Sequence, residues 1–183
     1  MELFKGRPET NEGRTEREIR CYDWLDQLQI PYWRTDHPDQ AAYTMEACRE
    51  IDAVLEAVVC KNLFLTNRQH TAYYLLMMPG DKPFKTKELS AQIGSSRLSF
   101  GTAEEMEEML TCAPGSSSLM GLMNDTEHRV QLLVDEDVLK EEFLGCHPCI
   151  NTSSLKLYTR DAFGPFLEST GHAMKVVHLV GAE

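Results

Sequence analysis

The sequence predicts a mixed α/β domain, and three observations lead there. Helical and extended patterns are interspersed along the chain with no internal repeat. Two apolar runs, 56–66 and 71–78, flank the polar turn Asn67-Arg68-Gln69-His70 as a β-hairpin. Threonines stand before amphipathic segments as helix caps, most clearly in the capping box Thr102-Ala103-Glu104-Glu105. Together these give one domain with a central mixed β-sheet flanked by helices.

In chain order, residues 1–14 are polar, carry Gly6, Pro8 and Gly13, and are expected to be a flexible lead-in to a domain over 15–183. Thr15 caps a helix to about residue 29, with Ile19, Tyr22, Leu25 and Leu28 at helical spacing as its buried stripe. Pro31 stops it, a short strand follows over 31–35, and His37-Pro38 turns the chain. Thr44 opens a second helix over 45–53, with Glu46 in the first turn where the helix dipole favours a carboxylate. After the hairpin and the turn Pro79-Gly80-Asp81, Thr86 caps a helix ending near Gly94. A brief strand is expected over 97–100, a helix to about Cys112 and then a serine-rich loop. Strands over 129–134, 143–146, 154–158 and 175–180 alternate with helices over 136–141 and 161–169.

Of the 183 residues, 42% are hydrophobic and 26% charged, ordinary for a globular chain with its own core. The longest apolar run, 72–78, is too short to span a bilayer, and the first residues lack the apolar stretch of a secretory signal, so a cytoplasmic protein is expected. Its six cysteines are then expected as reduced thiols. The net charge of −11 argues against indiscriminate nucleic-acid binding. Yet residues 61–100 hold six Lys/Arg against two Asp/Glu, one basic stretch on an acidic body.

Three segments carry candidate chemistry. Lys61 opens the apolar strand Lys61-Asn62-Leu63-Phe64-Leu65. A lysine sharing a strand face with leucines is either a snorkelling edge residue or a functional charge at a pocket. Gly115-Ser116-Ser117-Ser118 is small enough for backbone N–H groups to face an anion, although polar loops of this kind are common. Gly145-Cys146-His147-Pro148-Cys149 contains a C-x-x-C. A redox pair would need its first cysteine at a helix N-terminus, and the residues that follow read as loop and strand. A zinc site would need a second closely spaced ligand pair, and none is present. No P-loop, dinucleotide fingerprint or nucleophile elbow occurs, so neither metal nor cofactor is expected.

In order, Thr44 after the His-Pro turn, Val58-Val59-Cys60-Lys61-Asn62-Leu63, Pro79-Gly80-Asp81, Arg97-Leu98-Ser99-Phe100, Gly115-x-x-x-Leu119 and Cys146-His147-Pro148-x-x-Asn151-Thr152 resemble the trans-editing aminoacyl-tRNA deacylases. These are similar to the insertion domain of bacterial prolyl-tRNA synthetases and to YbaK. The likeness is strongest to the free-standing Ala-tRNA(Pro) deacylases called ProXp-ala or PrdX, and it runs over about residues 15–180. It implies an α/β editing domain with no cofactor that hydrolyses the ester joining a wrong amino acid to tRNA(Pro), with prolyl-tRNA synthetase as a further partner. A Cys-tRNA(Pro) deacylase and a non-catalytic tRNA- or synthetase-binding homologue stay open as alternatives.

The resemblance makes Lys61 the essential lysine, Gly115 the start of the loop that binds the substrate carbonyl, and His147 the histidine of an F-H-P loop. Thr44, Met45, Asn62, Leu63, Ser116, Ser117, Ser118, Gly145, Pro148, Asn151 and Thr152 are then expected around the substrate, with Met45 and Leu63 as a steric wall against proline. Two positions depart from the pattern. Leu119 replaces the loop proline, and Cys146 stands where phenylalanine is usual, which makes the C-x-x-C incidental.

Overall fold

A computed structural model of the protein describes residues 1–37, 45–57 and 59–181. The mixed α/β class holds, but the strands form two sheets. One has the order β1-β2-β8-β7 and is antiparallel throughout: β1 Phe4–Lys5, β2 Tyr32–Asp36, β7 Phe143–Cys146 and β8 Ser153–Tyr158. The other is mixed, in the order β5-β3-β4-β6-β9: β3 Lys61–Thr66, β4 Tyr73–Met78, β5 Ser99–Phe100, β6 Val130–Asp135 and β9 Met174–Val177. In it the β3–β4 hairpin is antiparallel, while β4, β6 and β9 run parallel.

Strand alternation sets the layers. Phe64, Leu75, Met77 and Leu132 share a core with Tyr32, Leu144, Leu155 and Leu157 of the other sheet and with Tyr22 and Leu25 of α1 (Glu16–Gln27). The alternate residues Leu65, Leu76 and Leu133 pack on the opposite face against Leu89 of α3 (Thr86–Ile93). The two sheets meet where Val59 bridges Gly145 and the Cys60 N–H donates to the Gly145 carbonyl at 3.1 Å.

The threonine caps at 15 and 102 form complete capping boxes, the second opening α4 (Ala103–Leu110), whereas Thr86 is the first residue of α3, whose N-cap, Lys85, makes no side-chain capping bond. In α1 the buried face is Glu18, Cys21, Tyr22 and Leu25; Glu18 goes inside because it closes the box and accepts from the Tyr22 hydroxyl at 2.8 Å. α2 (Met45–Leu55) ends at Glu56, which has a positive φ, so β3 starts at Lys61 and not at 56. The serine-rich loop gives way to a 3-10 turn, Leu119–Asn124, capped by Ser118. After the short α5 (Glu136–Leu139), the final helical stretch over 159–170 carries Pro165 in a π-helical turn. The lead-in is anchored: β1 pairs with β2, and Arg7 bridges Asp23 at 2.7 Å and Asp26 at 3.2 Å. No helix among the described residues is long and apolar enough to cross a membrane.

Candidate functional site

The segment leading into β3 is held from three directions. The Val59 N–H donates to Asp52 Oδ1 of α2 at 3.0 Å, Cys60 is tied to Gly145, and Asn62 Nδ2 reaches back to the Cys60 carbonyl at 3.1 Å. This fixes the strand start where Lys61 sits. The Lys61 Nζ donates to the Lys82 carbonyl beyond the Pro79-Gly80-Asp81 turn. Lys82 is itself immobilised, its Nζ bonded to Asp135 and Asp137 at 2.7 Å each and to the Leu179 carbonyl at 2.6 Å. The ammonium of Lys61 is therefore half-buried and tethered.

The two loops predicted to meet it are laced to each other. Ser116 Oγ donates to the Cys149 carbonyl at 3.0 Å, and Ser118 Oγ donates to the His147 carbonyl. The Leu119 N–H donates to Asn62 Oδ1 at 3.0 Å, joining the serine loop to β3. A proline at 119 would have no N–H to offer; leucine supplies the donor and buries its side chain completely. Rigidity that a proline ring would provide is supplied here by a strand-to-loop hydrogen bond.

Lys61, Asn62, Leu63, Gly115, Ser117 and His147 line one cleft of about 580 Å3. Phe64, Met106, Phe100 and Gly101 complete much of its apolar wall, and Cys48 reaches it from α2. The described lining holds one fixed cation, Lys61, and no carboxylate. His147 Nδ1 lies 3.0 Å from the Ser153 carbonyl, which can only accept, so Nδ1 carries the proton and Nε2 presents a lone pair. Burial lowers the pKa of this imidazole from its ordinary value, which favours the neutral ring at pH 7. Ser117 Oγ is buried with no hydrogen-bond partner among the described residues.

Other expected site residues serve the scaffold. Ser116 and Ser118 are buried and spend their hydroxyls on the loop bonds. Gly145 lies at the sheet junction, where a Cβ would stand 3.0 Å from Val59 Cγ2. Pro148 is buried; Asn151 faces the neighbouring groove with Glu104, Glu107 and Glu108; the Thr152 carbonyl accepts from the His37 N–H at 2.9 Å. Thr44 lies outside the described residues, and of Met45 only its place at the start of α2 is described.

The C-x-x-C is incidental to the cleft: Cys146 and Cys149 are fully buried, and burial pushes the Cys146 thiol up to about 12. Cys149 Sγ instead meets Cys21 Sγ of α1 at 3.7 Å. Among the described residues no group of three or more His, Cys, Asp or Glu is arranged to hold a metal ion. Sequence reasoning missed Met106, Phe100 and Gly101 as lining. Met106 reads simply as helix core. The one available signal was the glycine following the brief strand at 97–100.

Residues 39–163 match the family model described as the aminoacyl-tRNA editing domain. Among curated relatives, the "Prolyl-tRNA editing protein ProX" of Acetoanaerobium sticklandii is 28% identical over 155 residues, covering 85% of this chain and 93% of its own. The "Prolyl-tRNA synthetase associated domain-containing protein 1" of Danio rerio is 28% identical over 152 residues, 82% of this chain and 80% of its own. A solved structure described as a candidate trans-editing enzyme for prolyl tRNA synthetase superposes with a TM-score of 0.67 at 17% identity, over 90% of this chain and 97% of that one.

Proposed function

The chain belongs to the aminoacyl-tRNA editing domain family, and from that premise we propose that it is a trans-editing deacylase of mischarged tRNA(Pro), with alanine as the amino acid removed. The observation that carries this reading is the single cleft, free of carboxylates among its described residues, around which Lys61, Gly115 and His147 meet. The relatives named for prolyl-tRNA editing direct it to tRNA(Pro). A synthetase site made for proline cannot strongly reject alanine, because missing methylenes are worth only ~1–3 kcal/mol, and a second hydrolytic site makes up the shortfall. Prolyl-tRNA synthetase is then the source of the substrate and a natural partner, and the cytoplasm the site of action.

The chemistry asks little of the protein, since an aminoacyl ester is already activated. Water adds to the ester carbonyl, the tetrahedral intermediate expels the ribose oxygen with a proton, and free amino acid and tRNA leave. We assign placement of the water to the ribose hydroxyl of the substrate itself. Loop amides near Gly115 face the developing oxyanion, the role in which preorganised donors are worth ~3–4 kcal/mol. Lys61 holds the negatively charged acceptor end. His147 Nε2 accepts from the substrate ammonium or the water, and Ser117 Oγ supplies a further hydrogen bond. Leu63, Phe64 and Met106 narrow the cleft against larger side chains.

The test is release of amino acid from tRNA(Pro) charged with alanine, cysteine, serine or proline, by wild type and Lys61→Ala. Alanine is expected to be released fastest and proline spared, and Lys61→Ala is expected to lose ~100-fold or more in rate with an unchanged melting curve. Preference for cysteine would move the protein to the sister specificity. Wild-type rates in the lysine variant would overturn the assignment of Lys61.

A further inference from the structure

Phe100 is 62% exposed, on the rim of the cleft, whereas most large apolar side chains of this protein are inside. It is also rigidly mounted. β5 pairs with β3 at Phe100–Leu65 and Ser99–Thr66, and the Gly101 N–H donates to the Phe64 carbonyl at 3.0 Å. The backbone passes so close over Phe64 that a Cβ at residue 101 would fall 2.3 Å from its ring. Phe84 meets the Phe100 ring edge-on, centroids 6.4 Å apart at 60°. A largely exposed aromatic ring thus stands on a well-held backbone at the mouth of the cleft.

The charges around the cleft are unevenly spread. Lys85 follows Phe84, Arg97 precedes β5, and Lys87 and Arg97 are exposed. Beyond Ala103 and Pro114, which line both hollows, lies a groove of about 810 Å3 with Glu104, Glu107 and Glu108. Two of these carboxylates are paired, Glu107 with Arg17 at 2.7 Å and Glu108 with Arg129 at 3.3 Å, so the groove keeps a small net negative charge. The net negative charge of that groove disfavours a polyanion there, whereas the exposed Lys87 and Arg97, close in sequence to the Phe84–Phe100 ring pair, favour one. Every nucleobase has a π-face, and an exposed ring flanked by cations is the usual platform for single-stranded nucleic acid.

We propose that the single-stranded 3′ end of the substrate tRNA leaves the cleft over Phe100, with one unpaired base stacked on that ring and its phosphates beside Lys85, Lys87 and Arg97. This rests on the editing reading and adds to it the path and the base-binding residue.

The test compares wild type, Phe100→Ala and Phe100→Trp on Ala-tRNA(Pro), with each of the last three nucleotides in turn made abasic. Stacking of one base corresponds to a factor of about 5–150. Phe100→Ala is expected to raise KM by that factor with kcat within about twofold, and Phe100→Trp to restore it. At one of the three positions the abasic substrate should erase the difference between wild type and Phe100→Ala. An unchanged KM in Phe100→Ala, or the same defect at all three abasic positions, overturns the platform. Fluorescence anisotropy with an uncharged CCA-ended oligonucleotide separates this from the editing reading. If wild type deacylates nothing, weaker oligonucleotide binding by Phe100→Ala still upholds the platform, and equal binding overturns it.

Discussion

Gly145→Ala asks whether the junction of the two sheets sets the position of Lys61. The backbone of Gly145 is in β7 with no positive φ, so alanine is conformationally acceptable there and the effect is steric. The new Cβ would meet Val59 Cγ2 at 3.0 Å, Val59 Cα at 3.1 Å and Val59 N at 3.4 Å. Two of these atoms are backbone, so a rotamer change does not relieve the clash. Overpacking of this kind costs about 1–3 kcal/mol. At ~2 kcal/mol a domain of this size loses roughly 4–8 °C in Tm. If relief comes by moving 59–60 a few tenths of an ångström, the shift is passed directly to Lys61. Scaling from ~100-fold per ångström of misplacement gives about fourfold in kcat/KM for ~0.3 Å. Differential scanning fluorimetry and deacylation of Ala-tRNA(Pro) measure both. Gly164→Ala is the control, because a Cβ there meets nothing within 4 Å. A Gly145→Ala protein with wild-type Tm and wild-type kcat/KM would refute the reasoning.

Three further outcomes are expected. Ser117→Ala removes a buried hydroxyl with no partner among the described residues, so the free protein should be at least as stable as wild type while deacylation falls about tenfold, one hydrogen bond being worth ~1 kcal/mol or somewhat more; lower stability with full activity would contradict this. His147, whose folded pKa is lowered, binds its proton less readily than in the unfolded chain. Its neutral form is fully compatible with the fold above about pH 6.5, and stability is lost as pH falls below that value. Urea midpoints from pH 7.5 to 5 should show this loss, and His147→Gln should flatten it. Asp36, held well below the usual carboxylate range by Arg14, Arg34 and Ser153 against the cost of its burial, adds a second loss below about pH 4. Cys146→Ala/Cys149→Ala should lose ~1 kcal/mol or more per deleted thiol yet keep its turnover once folded; a folded but inactive variant would point to a thiol mechanism.

Much of the local structure was legible because it is encoded locally. The capping boxes at Thr15 and Thr102 and the β3–β4 hairpin each depend on residues a few positions apart. The candidate site was legible at Lys61, Gly115 and His147 through the order of short motifs. What escaped depends on partners far apart in the chain. The junction of the two sheets rests on Val59 meeting Gly145, and β1 exists because two residues find the edge of β2. Leu119 read as a departure because the use of its N–H by Asn62 cannot be seen without the fold. Ser116, Ser117 and Ser118 look alike in sequence, yet only the middle one keeps a buried hydroxyl with no hydrogen-bond partner among the described residues.

Lys82 works at both of its ends. Its carbonyl steadies the Lys61 ammonium, while its Nζ clasps Asp135, Asp137 and the carbonyl of Leu179. The stretch after β9 therefore has leverage over the candidate cleft through one residue. A substitution in the stretch after β9 that shifts the Leu179 carbonyl would be felt at Lys61 through that linkage.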